Sequence, residues 1–499
     1  IANNTSTSAS YGYALQNYGV INEISGNVQI KSQVAEGNTK ITTSQYALQN
    51  INGGKIYSIG SGVRISASNY AIDNRGARYA QTDITYSTTY LASGALKSGG
   101  LATDYDYTFA DVSYIGTIAG TVTATSTYAI QNYSKIGSIT GAVSANYNVI
   151  VNQAAATTTT SIEVATANTR VIEHRYFTND DSSLAANEYS RYFEYTRNTT
   201  DGCYIGSITG TVTATGAGYQ AIYNQGYIGT LGGTVTTPTG KATSSSTYYP
   251  LIYNGDQRQA TLKQTETYYV ESNNYGATKY LREYTYDVPT INTVSCTATN
   301  PQDFTIRNLG TINNLTGSIS GKTITVANEG GSFLTRKTIM FYSSASLLKA
   351  TKASSEVNYE YTKQPAEITN ITGATITATG GTVALRNCGY TGTITGSTIT
   401  SSSTGTITNS SSTVTEYTSN RLDVLTGCVP SASACALNYD TTQTINENEV
   451  RAIGTIDTID AGNYIQGTGT ALTNTGRINT IDSGTGTTTI IYTSGNANN

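Results

Sequence analysis

Two short phrases recur along this chain, and they restrict its fold more tightly than any other feature. One reads YIGTIAGTV at 114–122, KIGSITGAV at 135–143, YIGSITGTV at 204–212 and YIGTLGGTV at 227–235. The other alternates with it: ALQN at 14–17 and 47–50, AIDN at 71–74, AIQN at 129–132, AIYN at 221–224, LIYN at 251–254, ALRN at 384–387 and ALTN at 471–474. The step from Ile115 to the equivalent Ile136 is about 20 residues, far shorter than a self-sufficient domain and the length of one turn of a parallel β-helix. Each phrase is therefore one side of a coil. Ile and Val alternate with Thr and Ser, so the branched residues point inward and stack on their counterparts one coil away. Gly116, Gly120 and their equivalents mark corners or close backbone approaches.

Asn17, Asn50, Asn74, Asn132, Asn152, Asn224, Asn254 and Asn387 fall at one phase of the coil. Asn tolerates left-handed turn backbone, and stacked amides can form a hydrogen-bonded ladder, which is a structural role and not a binding one.

A longer period is superposed. Tyr-rich, charged insertions interrupt about every second coil, near 75–112, 153–202, 255–290, 329–365 and 410–450. Lys241 is the one charged residue between Tyr204 and Tyr253, whereas the next insertion carries nine, from Asp256 to Asp287. That insertion reads as a β-hairpin, with 265–271 running up, Asn273, Asn274, Tyr275 and Gly276 turning, and 279–287 running back. In the preceding insertion Arg175, Tyr176 and Phe177 face Arg191, Tyr192 and Phe193 across a polar turn. Insertions after a fixed phase emerge on one side of a solenoid and lie side by side. The expected fold is all-β: one right-handed parallel β-solenoid spanning 1–499, of about twelve coils and on the order of 60 Å long. A string of β-sandwiches would show less regular phrase repetition.

Composition bears on function. The chain has 28 Lys and Arg against 32 Asp and Glu, so no basic footprint for nucleic acid exists. No apolar run reaches the roughly 20 residues that span a bilayer. His174 is the only histidine, which rules out a multi-histidine metal site or a histidine triad within one chain. No phosphate-cradling loop, nucleophile elbow or zinc spacing occurs, so no catalytic residue, cofactor or metal is assigned and the chain is read as a non-enzyme. A β-helix polysaccharide-active enzyme would need convergent carboxylates. Asp457, Asp460 and Asp482 are spaced as turn residues instead. Cys428 and Cys435 sit close enough in sequence to close a local disulfide, while Cys203, Cys296 and Cys388 are far apart and equally compatible with buried free thiols. Threonine rows at 121, 123 and 125, at 211, 213 and 215 and at 375, 377 and 379 raise an ice-binding reading, against which stands their interruption by insertions; a solvated strand face is the plainer account.

The phrases AIQNYSKIGSITGAV, AIYNQGYIGTLGGTV and ALTNTGRINTI resemble the passenger regions of bacterial type V autotransporters, in particular AIDA-like adhesins and vacuolating-cytotoxin-like passengers. The resemblance spans most of the chain from Ala14 to Ile491. It implies export to the outer surface of a Gram-negative cell and a role in adhesion, cell contact or host interaction. The sequence carries no signal segment before Ile1 and no translocator barrel after Asn499, as expected of a processed passenger. Five similar hairpins make a periodic surface suited to packing between identical chains, so self-assembly into a filament, sheath or layer is the leading expectation and a monomeric adhesin for host cells or glycans the alternative. The candidate interface residues are Tyr176, Tyr192, Tyr269, Tyr280, Tyr284 and Tyr286, because Tyr supplies large contact area with a polar tip.

Overall fold

In the computed structural model the chain forms three parallel β-sheets of twelve strands each, wound as a solenoid of three strands per coil. The structure describes residues 12–492 apart from 33–44, 85–101, 154–169, 178–185, 197–203, 239–248, 345–355, 418–446 and gaps of one to three residues; in the insertion strands it describes the backbone. Each coil runs through a first face, such as Ile150–Asn152, a second, such as Tyr204–Ile208, and a third, such as Thr211–Ala214. Register is constant from coil to coil. Lys135, Ile136, Ser138 and Ile139 stand beside Tyr204, Ile205, Ser207 and Ile208, and those beside Tyr227, Ile228, Thr230 and Leu231.

The two-residue period of a strand explains the core. Ile136 and Ile139 of the second face, Val143 and Ala145 of the third and Ile150 of the first are all buried, and their equivalents stack above and below them. Burying each such isoleucine contributes about 1.5–3 kcal/mol, and the branched side chains suit a pleated surface. The third face ends each of these strands on a smaller buried side chain, Ala124, Ala145 and Ala214. At the preceding corner glycine is required. A Cβ on Gly210 would lie 2.0 Å from the carbonyl oxygen of Gly141, and Gly233 adopts φ +68°. One intruder breaks the isoleucine stack: Thr391 occupies the position of Ile368, fully buried, and its hydroxyl donates to Asn387 Oδ1 at 3.1 Å.

The asparagine ladder runs the whole length of the solenoid. Asn17, Asn50, Asn74, Asn132, Asn152, Asn224, Asn254, Asn308, Asn328, Asn387, Asn409 and Asn474 are joined by eleven successive Nδ2-to-Oδ1 bonds of 2.8–2.9 Å. Asn308, Asn328 and Asn409 escaped the sequence pattern because their strands read IRN, ITVAN and ITN, with only the apolar residue two positions before the Asn retained. Each Asn closes a first-face strand, and its recurrence is explained by the ladder itself, not by tolerance of left-handed backbone. The amide is used on every side: Asn224 Nδ2 also donates to Gly226 O and Thr290 O, and its Oδ1 accepts from Gly226 N. Burial of so polar a side chain is tolerable only with this level of pairing.

Insertions leave the coil directly after the ladder, following Asn74, Asn152, Asn254, Asn328 and Asn409, which is every second coil from the third onward. The hairpins pair with one another. Tyr79–Ile84, Ala102–Phe109, Arg170–Phe177, Ala186–Thr196, Arg258–Glu271, Tyr275–Asp287, Gly331–Ser344 and Glu356–Pro365 form one eight-stranded antiparallel sheet in chain order. Arg175 stands opposite Arg191, as expected of facing arms, and the next hairpin is longer than its sequence suggested. The fifth insertion contributes a separate two-stranded sheet, Ser412–Tyr417 with Glu447–Ala452. One geometric reason underlies one hairpin per two coils. A hairpin is two strands wide and two coils are two strands thick, so both advance by about 10 Å and the insertions can zip together without strain.

Candidate interaction surface

Outward positions differ sharply among the three faces. On the first face the row beside the ladder is buried although it points away from the core: Gln49, Asp73, Gln131 and Val151 are all nearly inaccessible. Gln16 Nε2 donates to Gln49 Oε1 at 2.6 Å, and Gln49 Nε2 donates to Asp73 Oδ2 at 2.9 Å. Arg75, the first residue of the first insertion, donates to the same oxygen at 2.7 Å and lies over the rings of Tyr46 and Tyr133 at 5.9 and 5.7 Å. Asp73 Oδ1 has no partner. Burial pushes the Asp73 carboxyl up from its ordinary value, with Arg75 and Gln49 opposing that shift. Tyr133 accepts from Gln153 Nε2 at 2.9 Å, and burial pushes its hydroxyl up to about 12.

A tyrosine row runs alongside. Tyr13, Tyr46 and Tyr70 stack at 5.3 and 4.7 Å, and Tyr128 and Tyr147 continue edge-on at 5.5 and 6.5 Å. The rings spend their faces on each other. Sequence reading placed its candidate tyrosines on the insertions and did not single out this row. The signal was present in the shared spacing of Tyr13, Tyr46 and Tyr70 before the Asn phrase. Further along the same face Arg307 Nε donates to Glu329 at 2.8 Å and Arg386 pairs with Glu329, while Arg386 Nε is buried without a partner.

The six candidate interface tyrosines all fall on hairpin strands whose side chains lie outside the described residues. Backbone register separates them into two sets. Position 176 pairs with 190, and both 190 and 192 align with 267 and 265; positions 265, 267 and 269 share the parity of 277 and 281. Positions 280, 284 and 286 have the opposite parity, so 176, 192 and 269 occupy one face of the sheet and 280, 284 and 286 the other. They are not one continuous ridge.

Cys428 and Cys435 lie outside the described residues, as does Cys203. Cys296 and Cys388 are in no disulfide. Cys296 is part of the core, where burial pushes its thiol up to about 12, and Cys388 Sγ lies 3.2 Å from Ser410 Oγ. Among the described residues no three His, Cys, Asp or Glu converge as metal ligands, and no helix is long and apolar enough to cross a membrane. Asp482 caps a turn, accepting from Gly484 N at 2.8 Å, and Asp457 accepts from Asn479 Nδ2 at 2.8 Å.

The threonine rows lie on the third face, and here the structure departs from the sequence reading. The five Tyr-rich insertions leave between the first and second faces, and the third face is one continuous twelve-stranded sheet. The first two threonines of each triplet, such as Thr211 and Thr213, point outward, while the third turns its hydroxyl to the preceding coil: Thr215 donates to Ala145 O at 3.0 Å and Thr379 to Gly321 O at 3.1 Å.

Comparison with protein-family models, with curated proteins and with solved structures gives no match. The autotransporter resemblance therefore rests on the repeated phrases.

Proposed function

We propose that this chain is an exported structural protein of the bacterial outer surface, a processed autotransporter-like passenger that acts through protein–protein contacts and assembles with copies of itself into a filament, sheath or layer. The observation that carries this reading is the eight-stranded hairpin sheet. A solenoid needs no second β-layer to fold, since neighbouring coils already satisfy one another. Among the described residues two strands of this layer, Tyr79–Ile84 and Glu356–Pro365, are paired on one side only, and an open strand edge is a template for a strand of another chain. The role is non-enzymatic, in keeping with a surface whose repeated outward residues are mainly Thr, Ser, Asn and Tyr.

Electron microscopy of the native material tests the proposal. Fibres or lattices with a repeat near the length of the solenoid are expected, and monodisperse rods at every concentration would refute self-assembly and favour a monomeric adhesin. A second arm replaces 256–288 by a short Gly-Ser loop. The coils should keep their circular dichroism, while the sheet is cut into four-stranded and two-stranded parts and assembly is lost. Unchanged fibres from that variant would move the interface to the coil faces.

A further inference from the structure

The third face is a two-column array of hydroxyl groups, and the geometry points to it as a binding surface for crystalline water. From the strand beginning at Thr121 to the strand beginning at Thr398, eight consecutive coils present a Thr or Ser at both outward positions, Ala142 being the single exception. Cα register passes from coil to coil without a slip, as in Thr211, Thr234 and Thr297 for one column and Thr213, Thr236 and Thr299 for the other. Neighbouring coils place equivalent backbone positions roughly 4.8 Å apart, and alternate residues of a strand place the two columns about 6.7 Å apart; in the second column some adjacent hydroxyls lean together, Thr123 Oγ1 lying 3.4 Å from Ser144 Oγ and Thr400 Oγ1 donating to Thr377 Oγ1 at 3.2 Å. Hexagonal ice repeats at closely similar distances along and across its prism face. Each Thr also offers a methyl beside its hydroxyl, so the array has the mixed character of a partly ordered water layer.

What the face leaves out identifies the ligand class. This chain has 60 charged residues, 28 basic plus 32 acidic, and 40 tyrosines, yet none stands at the sixteen outward positions of those eight strands. A nucleic-acid surface would carry Lys or Arg. A protein hot spot would carry Tyr, Trp or Arg. A polysaccharide platform would carry aromatic rings against the sugar faces. The charges reappear only beyond the array, at Lys31 and Arg64. The five Tyr-rich insertions leave from another corner of the coil, between the first and second faces, and the eight array strands pair without interruption. The inference is independent of self-assembly.

The experiment is ice-affinity partitioning of the purified protein, with inhibition of ice recrystallisation as the second readout. The parent should be enriched several-fold in slowly grown ice over a non-binding reference protein. The variant Thr211→Arg with Thr297→Arg should fall to the reference level. It is expected to fold because Arg64 already occupies the same column. Thr297→Tyr is the second test of the array, since Tyr464 occupies that column too. A control carrying Thr230→Arg and Thr293→Arg on the second face should partition as the parent does. Three results would overturn the inference: no enrichment of the parent, equal loss in the second-face control, or retention on microcrystalline cellulose without enrichment in ice.

Discussion

Replacing Asn224 by Leu is the sharpest test of how the coils are held in register. Asn224 is fully buried, and leucine keeps its count and branching of side-chain heavy atoms, though with bulkier methyls, while removing every polar atom. The substitution takes the 2.8 Å acceptor from Asn152 Nδ2, the 2.8 Å donor from Asn254 Oδ1 and the 3.1 Å acceptor from Gly226 N. Asn152 Nδ2 keeps a weaker contact to Tyr227 O at 3.2 Å. Each buried polar group left without a partner costs about 1–3 kcal/mol, so two such groups and a small gain from the apolar side chain give a net loss of roughly 2–4 kcal/mol. Unfolding of a solenoid is not two-state over its whole length, which makes a single midpoint a poor measure. Amide exchange read by mass spectrometry is local. Exchange should accelerate roughly 30- to 700-fold in the strands ending at Asn152, Asn224 and Asn254 and little elsewhere, since about 1.4 kcal/mol is a factor of ten. Asn474→Leu, at an exposed rung, should change stability by less than ~0.5 kcal/mol. Exchange of the Asn224→Leu protein within threefold of the parent would refute the ladder as a stabilising element. Loss spread evenly over all twelve coils would refute its nearest-neighbour character.

Ile136→Asp inserts a charge between Ile115 and Ile205 and should cost several kcal/mol, seen as new protease cleavage near coils four and five while distant coils stay resistant. Asp73→Asn should stabilise the first coils at neutral pH. Because the folded carboxyl is raised above its ordinary value, its favourable contribution is complete below that value and fades as pH rises through the raised one; the difference between variant and parent in local amide-exchange protection, read in the strands ending at Asn50, Asn74 and Asn132 and corrected for intrinsic exchange at each pH, should therefore narrow toward acid pH, and a difference that widens there would contradict the assignment. In native protein at pH 8, peptide-mapped iodoacetamide should modify half-buried Cys388 well before Cys296, which should react only after denaturation; equal rates would mean that the core position of Cys296 is wrong.

Much of this architecture is written locally. The Ile and Val positions, the coil length, the alternation of insertions and eight rungs of the ladder all follow from the period of a strand and the length of a turn, because a parallel solenoid pairs each residue with its counterpart one repeat away. Sequence similarity and spatial contact are then the same thing. Rungs such as Asn308 and Asn409 were hidden only because their flanking residues had diverged, a change the ladder tolerates since it uses the amide alone.

Tertiary structure decided what the repeat cannot encode. Hairpin-to-hairpin pairing depends on the match between the width of two strands and the thickness of two coils, which appears only when coils are stacked in space. The parity that sends positions 192 and 280 to opposite faces of the hairpin sheet depends on register between segments about ninety residues apart in the chain, and no local pattern carries it. The threonine rows looked interrupted because insertions separate them in sequence. In space the Tyr-rich insertions leave from a different corner, and the coil returns each row to the same continuous sheet, so what reads as a broken array along the chain is a continuous one along the axis.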